Sequence, residues 1–441
     1  MINDKKIEVI LDTRKKVITE EGPESLDVLL RLRAHEQTTR HKTPLALALV
    51  IDRSGSMNGR KLEEARRCAL DILNRMDDRD LVTVVVYDNK VDVTLPLMSV
   101  GVAKVILPSK LESIHPGGST ALHDGWLKGA ELLAPLSNKD QMCRVILLSD
   151  GQANHGVVDT DQIAEQVRAL ANAGVTTTTV GIGMGFNEEL MTAIANAGQG
   201  NAWYGQRAED LAESFDAEMG FLTSLDWRSV RVRIHSDLDT VKVRNDYLLN
   251  PTGDWALPSI ASNSEVWMAV SLSMSEVSRA QRKGEVLRFT IKAEDADGMQ
   301  QRFSVSLPEL KVVDAQTYKN AEENELVARR FIEIEAADLQ REARAYVKSR
   351  NWEAVERLLT QIEERAINNP WLHETVKYLR TLMARRDYDT MEKELMYSAR
   401  QMKNRSASLQ DSVMFCMNVE AEMPAFLRKK LAQGRNTDSQ S

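Results

Sequence analysis

Four runs of apolar and β-branched residues constrain the first half of the chain most: Leu45–Ile51, Leu81–Tyr87, Val145–Ser149 and Val175–Gly181. A strand with one wet face alternates polar and apolar residues. A strand covered on both faces reads as a continuous apolar run, the pattern of parallel strands between helices. Helical spacing fills the intervals. Leu62, Ala65, Ala69, Ile72 and Met76 mark a helix near 59–76, and further helices are predicted near 121–134 and 160–173. This order predicts an open, doubly wound α/β domain over residues 43–223. In that architecture ligands bind outside the carboxyl ends of the strands.

The flanking segments follow a different period. In residues 1–38, Ile7, Val9 and Leu11 alternate, then Leu26, Val28, Leu30 and Leu32, with Glu20-Glu21-Gly22-Pro23 as the turn between them. Alternation returns over 227–313. Val230, Val232 and Ile234 form one segment, and Val266, Met268, Val270, Leu272 and Met274 a second. Leu287, Phe289 and Ile291 are placed to pair with Phe303, Val305 and Leu307 across Asp295-Ala296-Asp297-Gly298. These short strands predict an antiparallel β-sandwich that the strands of residues 1–38 complete, so that the α/β domain is inserted into it.

Residues 319–404 are predicted helical, with Trp352, Val355, Leu359, Ile362 and Ala366 on one helix face. Arg350-Asn351-Trp352 and Arg386-Asp387-Tyr388 stand 36 residues apart, near a tetratricopeptide period. Two copies do not make a solenoid, and a small helical bundle or hairpin is expected. The polar stretch 434–441 is predicted disordered.

Composition narrows the partners. With 57 Lys and Arg against 65 Asp and Glu, the net charge is −8, which offers no attraction for nucleic acid or an anionic membrane surface. Cys68, Cys143 and Cys416 lie far apart, the pattern of thiols in a reducing compartment rather than a disulfide framework. The first residues lack the apolar stretch of a signal peptide, and Leu45–Ile51, the longest apolar run, is too short to span a bilayer. A cytoplasmic protein without membrane insertion is expected.

The chemistry concentrates where a buried strand runs into Asp52-Arg53-Ser54-Gly55-Ser56-Met57. Carboxylate and hydroxyl oxygens are hard ligands suited to Mg²⁺, Mn²⁺ or Ca²⁺ and poorly suited to zinc. Gly55 permits a tight loop, and the following helix directs its amide groups and dipole toward an anion. Two further segments fall on the same predicted edge. His115-Pro116-Gly117-Gly118-Ser119-Thr120 runs into a helix and offers the Thr120 hydroxyl, and Leu147-Leu148-Ser149-Asp150 ends a strand in a carboxylate.

In these three segments the chain closely resembles the von Willebrand factor A family, whose metal-ion-dependent adhesion site is written DxSxS…T…D. Asp52, Ser54 and Ser56 match the first part, Thr120 the second and Asp150 the third, and the resemblance covers about residues 43–223. It implies that Ser54, Ser56 and Thr120 bind the metal directly, with Asp52 and Asp150 acting mostly through water. It also implies that an open coordination position takes an Asp or Glu from a partner. A looser likeness extends to inter-alpha-inhibitor-like and bacterial multidomain members.

Other readings are weaker. His115, His123 and His155 show no ligand spacing and are expected to be solvated or locally bonded. Gly181-Ile182-Gly183-Met184-Gly185 lacks dinucleotide spacing, and Gly117-Gly118-Ser119-Thr120 lacks the lysine of a phosphate loop. No nucleophile elbow is present and no general base is placed for metal-assisted hydrolysis, so no enzymatic activity is expected. The function read from the sequence is a metal-dependent protein-interaction module that binds an acidic side chain. The alternative is a substrate adaptor or regulator of a separate AAA+ ATPase, as chelatase and MoxR-type relatives are.

Overall fold

The computed structural model describes residues 7–20, 25–35, 44–137, 141–150, 152–183, 186–205, 211, 215, 218–222, 224–295, 298–366, 369–404 and 406–408. Residues 21–23 of the expected turn, 296–297 of the hairpin connection, Met184, Gly185, Cys416 and the tail 434–441 lie outside the described residues. Contacts divide the chain into two units. One gathers residues 1–38, 226–295 and 300–441, and the other holds residues 39–225 with 296–299.

Three strands open the chain: β1 (Glu8–Thr13), β2 (Val17–Ile18) and β3 (Ser25–Ala34). The α/β unit follows. Its strands are β4 (Leu45–Asp52), β5 (Leu81–Tyr87), β6 (Val91–Ser99), β7 (Met142–Ser149), β8 (Val175–Ile182) and β9 (Gln199–Gly205). Between them lie helices α1 (Arg60–Arg75), α2 (Val100–Glu112), α3 (Leu122–Leu133), α4 (Thr160–Asn172) and α5 (Glu188–Ala197). The sheet order is β6-β5-β4-β7-β8-β9, all parallel except β6, which runs antiparallel to β5. Every residue of β4 and β7 is buried, as their apolar runs require, and Arg144 within β7 is buried against Glu218 at 2.8 Å. Truncating one of these side chains, Leu49→Ala for example, costs about 2–5 kcal/mol through lost transfer energy and the cavity left behind. Strand β6 is not among the predicted strands. It is an edge strand, mostly half-buried, and it contains Pro96, which lacks the N–H a central strand needs.

In the other unit, β10 (Leu225–His235), β11 (Lys242–Val243), β12 (Leu248–Leu249), β13 (Trp255–Ala256), β14 (Ile260–Ala261) and β15 (Ser264–Ser273) precede a short helix, α6 (Met274–Gln281). Strands β16 (Arg288–Asp295), β17 (Gln300–Ser306) and β18 (Lys311–Val312) follow. One sheet has the order β1-β3-β15-β11 and another β12-β13-β10-β16-β17. The register places Leu26, Val28, Leu30 and Leu32 opposite Leu272, Val270, Met268 and Val266. These residues share a core with Val230, Val232, Phe289 and Ile291 of the second sheet. Phe289 pairs with Val305 and Ile291 with Phe303, as the alternation predicts. Met274 begins α6 instead of continuing the strand.

Helices α7 (Ala315–Asn320), α8 (Glu325–Lys348), α9 (Trp352–Arg365), α10 (Pro370–Ala384) and α11 (Tyr388–Asn404) complete the fold. Leu29, Trp267 and Ala269, on the far face of the first sheet, cluster with Val327, Phe331 and Ile334 of α8. Helices α8 to α11 enclose a core that includes Leu359, Leu372, Leu379 and Leu395. The repeated tripeptide has a structural meaning. Arg350 and Arg386 adopt left-handed backbone (φ 57° and 58°) before their helices, and the Trp352 and Tyr388 rings stack at 4.0 Å. Among the described residues no helix is long and apolar enough to cross a membrane.

Candidate functional site

The carboxyl ends of β4 and β7 carry the two acids. Asp52 is the last residue of β4 and Asp150 follows β7, and both are fully buried. Burying carboxylates costs several kcal/mol each unless polar partners replace the lost water. Asp52 has such partners: its Oδ2 accepts from Ser149 Oγ at 2.6 Å and its Oδ1 from the Ser54 backbone N–H at 2.8 Å. Burial holds its carboxyl above the ordinary value, opposed by these bonds from Ser149 and Ser54. Below it, burial and then the Asp52 charge push the Tyr87 hydroxyl well above its usual range, so it stays neutral.

The three hydroxyls come from two loops tied to each other. Ser54 and Ser56 bring their Oγ atoms to 3.1 Å, with Ser54 buried and Ser56 exposed at the mouth. The Gly55 N–H donates to Gly118 O at 2.9 Å, and the Gly117 N–H to Arg53 O at 2.7 Å. Gly117 has to be glycine, because a Cβ there would stand 1.8 Å from Asp88 Oδ2. Thr120 is buried. Its N–H donates to Asn154 Oδ1 at 2.7 Å, and its carbonyl accepts from the Asn154 and His155 backbones. All five residues singled out by sequence thus stand on β4, β7 and the loops tied beside them.

Asp150 differs from Asp52 in how its oxygens are used. Its Oδ2 accepts from Lys61 Nζ at 2.9 Å, but its Oδ1 is buried with no hydrogen-bond partner among the described residues. A buried carboxylate oxygen without a donor is costly in a native protein and asks for a cation or bound water. An open carboxylate oxygen and a hydroxyl pair on one sheet edge are donors that suit a hard divalent cation. The side chains of Asp52, Ser54, Ser56, Thr120 and Asp150 offer hydroxyl and carboxylate oxygens, not the nitrogen and sulfur of a zinc site.

Several supporting residues escaped the sequence reading. Ser149 grips Asp52 from 97 positions away, Asn154 fixes Thr120, and Arg53 pairs with Asp88 at 3.4 Å and Asp92 at 2.6 Å. Lys61 had a signal in the sequence. It lies in the first turn of α1, where the helix dipole disfavours a cation, so a local rule is broken there. The histidines sort as expected: His115 and His155 are exposed, and His123 is buried with its ring nitrogens on Asp124 and Gln166.

Comparison with known proteins matches this part of the chain. The model of the von Willebrand factor type A domain family matches residues 46–217. An uncharacterized protein of Synechocystis sp. is 28% identical over 174 residues, 40% of this chain and 40% of its own length. Human inter-alpha-trypsin inhibitor heavy chain H3 is 28% identical over 166 residues, 36% of this chain and 19% of its own length. The chain therefore spans less than half the length of these curated relatives. Two solved structures share the fold along most of the chain at 17% identity. The ArnB paralog VWA2 from Sulfolobus acidocaldarius covers 90% of this chain and 99% of its own, with a TM-score of 0.61. A von Willebrand factor type A protein from Catenulispora acidiphila covers 92% and 98%, with a TM-score of 0.67. Residues 46–217 are a von Willebrand factor type A domain.

Proposed function

We propose that this chain is a non-enzymatic, metal-dependent protein-interaction module whose α/β domain binds a partner's Asp or Glu. Von Willebrand factor type A domains generally mediate protein–protein interaction, often with a divalent metal, and the donor set here suits one. The observation that carries the reading is the buried Oδ1 of Asp150, without a hydrogen-bond partner among the described residues, on the same sheet edge as the paired Ser54 and Ser56 hydroxyls. Ser54, Ser56 and Thr120 would hold Mg²⁺, Mn²⁺ or Ca²⁺ directly, and Asp52 and Asp150 would act through water. A bound divalent ion supplies an electrophilic position for a partner carboxylate. The chain's own part is positioning: Ser149 and the Ser54 amide fix Asp52, and Asn154 fixes Thr120. The remaining unit belongs to the same reading. The two sheets that share one core form a β-sandwich into which the α/β domain is inserted, an organisation of the multidomain prokaryotic type.

The test is a pull-down from cell lysate with tagged protein, in Mg²⁺ and in EDTA, with Asp52→Ala as control. A partner retained only by the wild type in Mg²⁺ is the expected result. Partners indifferent to both EDTA and the substitution would move the interaction to the sheets or helices and sink the proposal. If the captured partner is an ATPase whose turnover the protein stimulates, the module is an adaptor for that enzyme.

A further inference from the structure

Lys61 reaches the candidate site from the first turn of α1, with Nζ 2.9 Å from Asp150 Oδ2. Its side chain is 29% exposed and the Asp150 side chain is fully buried, so the ammonium stands at the boundary with solvent. Its stem runs along Gly183, where an added Cβ would meet Lys61 Cε at 3.1 Å and Cγ at 3.4 Å. Gly183 also has φ 81°, a backbone that favours glycine, so the loop after β8 keeps open the channel in which the lysine lies. The cation occupies only one oxygen of Asp150. The other, Oδ1, remains buried and unpartnered.

We infer that Lys61 is a built-in counter-cation that tunes the metal site: it lowers the affinity for the divalent ion and leaves the loaded site with an excess positive charge that a single partner carboxylate neutralises. This rests on the metal-dependent reading proposed above. The Asp52 and Asp150 carboxylates together cancel a divalent cation, and the Lys61 ammonium then leaves one positive charge over. Without the lysine the loaded site is neutral and gives a carboxylate less to bind. With no metal bound, the same ammonium shields a fully buried acid with which no other cation is paired among the described residues. Lys61 therefore makes the site stable when empty, loose in its hold on metal, and selective for an anionic partner group.

Lys61→Met keeps the stem and removes the charge, Lys61→Gln is the second neutral variant, and Lys61→Arg retains the charge. Titration with Mn²⁺, followed by calorimetry and by loss of the free-ion paramagnetic resonance signal, is expected to show binding about tenfold tighter in the neutral variants at low ionic strength. The gain should shrink in concentrated salt, which screens a partly exposed charge. Lys61→Arg should stay within about twofold of the wild type, because its charge is retained. In the Mn²⁺-loaded protein, acetate should bind the neutral variants more weakly than the wild type. These opposite changes, metal tighter and carboxylate weaker, are what a merely structural lysine does not produce. Melting in EDTA shows which variants are folded. Neutral variants that are folded and bind Mn²⁺ no more tightly than the wild type overturn the inference about Lys61 and leave the metal reading standing. No Mn²⁺ binding by wild type or variants at millimolar concentration overturns the metal reading, and this inference with it.

Discussion

Two regions of the molecule bury carboxylates, and they do so in opposite ways. In the first sheet of the β-rich unit, the Glu265 side chain is completely buried and is held by two guanidinium groups, Arg31 at 3.0 Å and Arg33 at 3.2 Å. Along the carboxyl edge of the α/β sheet, Asp150 is equally buried but, among the described residues, it has a single lysine and one of its oxygens has no donor. A fold that needed Asp150 only for stability would satisfy both oxygens, as it does for Glu265. The difference separates a carboxylate that holds structure together from one left open for an incoming ligand. A third arrangement lies in the helices, where burial pushes the Glu394 carboxyl up to about 8, so the acid is kept neutral.

The sharpest way to break the comparison is Glu265→Ala. Among the described residues it leaves Arg31 with only Asp12 and Arg33 with only Glu8, each at 3.3 Å, and it should destabilise the β-rich unit by about 3 kcal/mol, read from the denaturant midpoint. A midpoint close to the wild type would remove Glu265 as the structural pole of the contrast.

Glu394 provides a pH test. Its folded carboxyl keeps the proton up to about pH 8, whereas the unfolded one releases it near the ordinary 4.5. Its contribution to stability is therefore complete below pH 4.5 and is lost as pH rises through about 8. The slope approaches about 1.4 kcal/mol per pH unit at its steepest. Urea melts between pH 5 and 9 should show this decline, and Glu394→Gln should flatten it. A decline of the same size in the variant would assign the slope to another group.

Asp150→Asn should invert the Glu265 result. Lys61 can hydrate when its partner changes, so stability in EDTA should fall by less than about 1 kcal/mol. Mn²⁺ affinity should drop at least tenfold, or about 1.4 kcal/mol. Global unfolding of this variant would make Asp150 a structural residue like Glu265. The smallest effect is expected from Ser56→Ala, because the Ser56 hydroxyl is exposed and water can replace it. A several-fold loss of Mn²⁺ affinity with unchanged melting, about 1 kcal/mol of binding, is the outcome to look for.

Much of this was legible in the chain. The unbroken runs of β4 and β5 and the alternation in β3 and β15 identify their strands, because burial on one face or two imposes period or continuity on neighbouring residues. Asp52, Ser54 and Ser56 lie within five positions, so a short loop alone brings them together. Strand β6 is missed by the sequence reading although Val91, Val93, Leu95 and Leu97 alternate. Pro96 argues against a strand unless it lies at a sheet edge, and only the fold shows that it does. Helix α6 was hidden because Met274, at its first position, continues the apolar alternation of β15.

The amino-acid order by itself determined the parallel strands, the alternating strands on either side of them, and the ligand types Asp52, Ser54, Ser56, Thr120 and Asp150. Each depends on the period or chemistry of nearby residues. Only the tertiary structure decided how those ligands are held. Ser149 reaches Asp52 across 97 positions and Lys61 reaches Asp150 across 89, and which oxygen remains open depends on those contacts. Hydrogen bonds and charges act over a few ångströms of space, and local sequence does not encode which distant side chains will meet at that range.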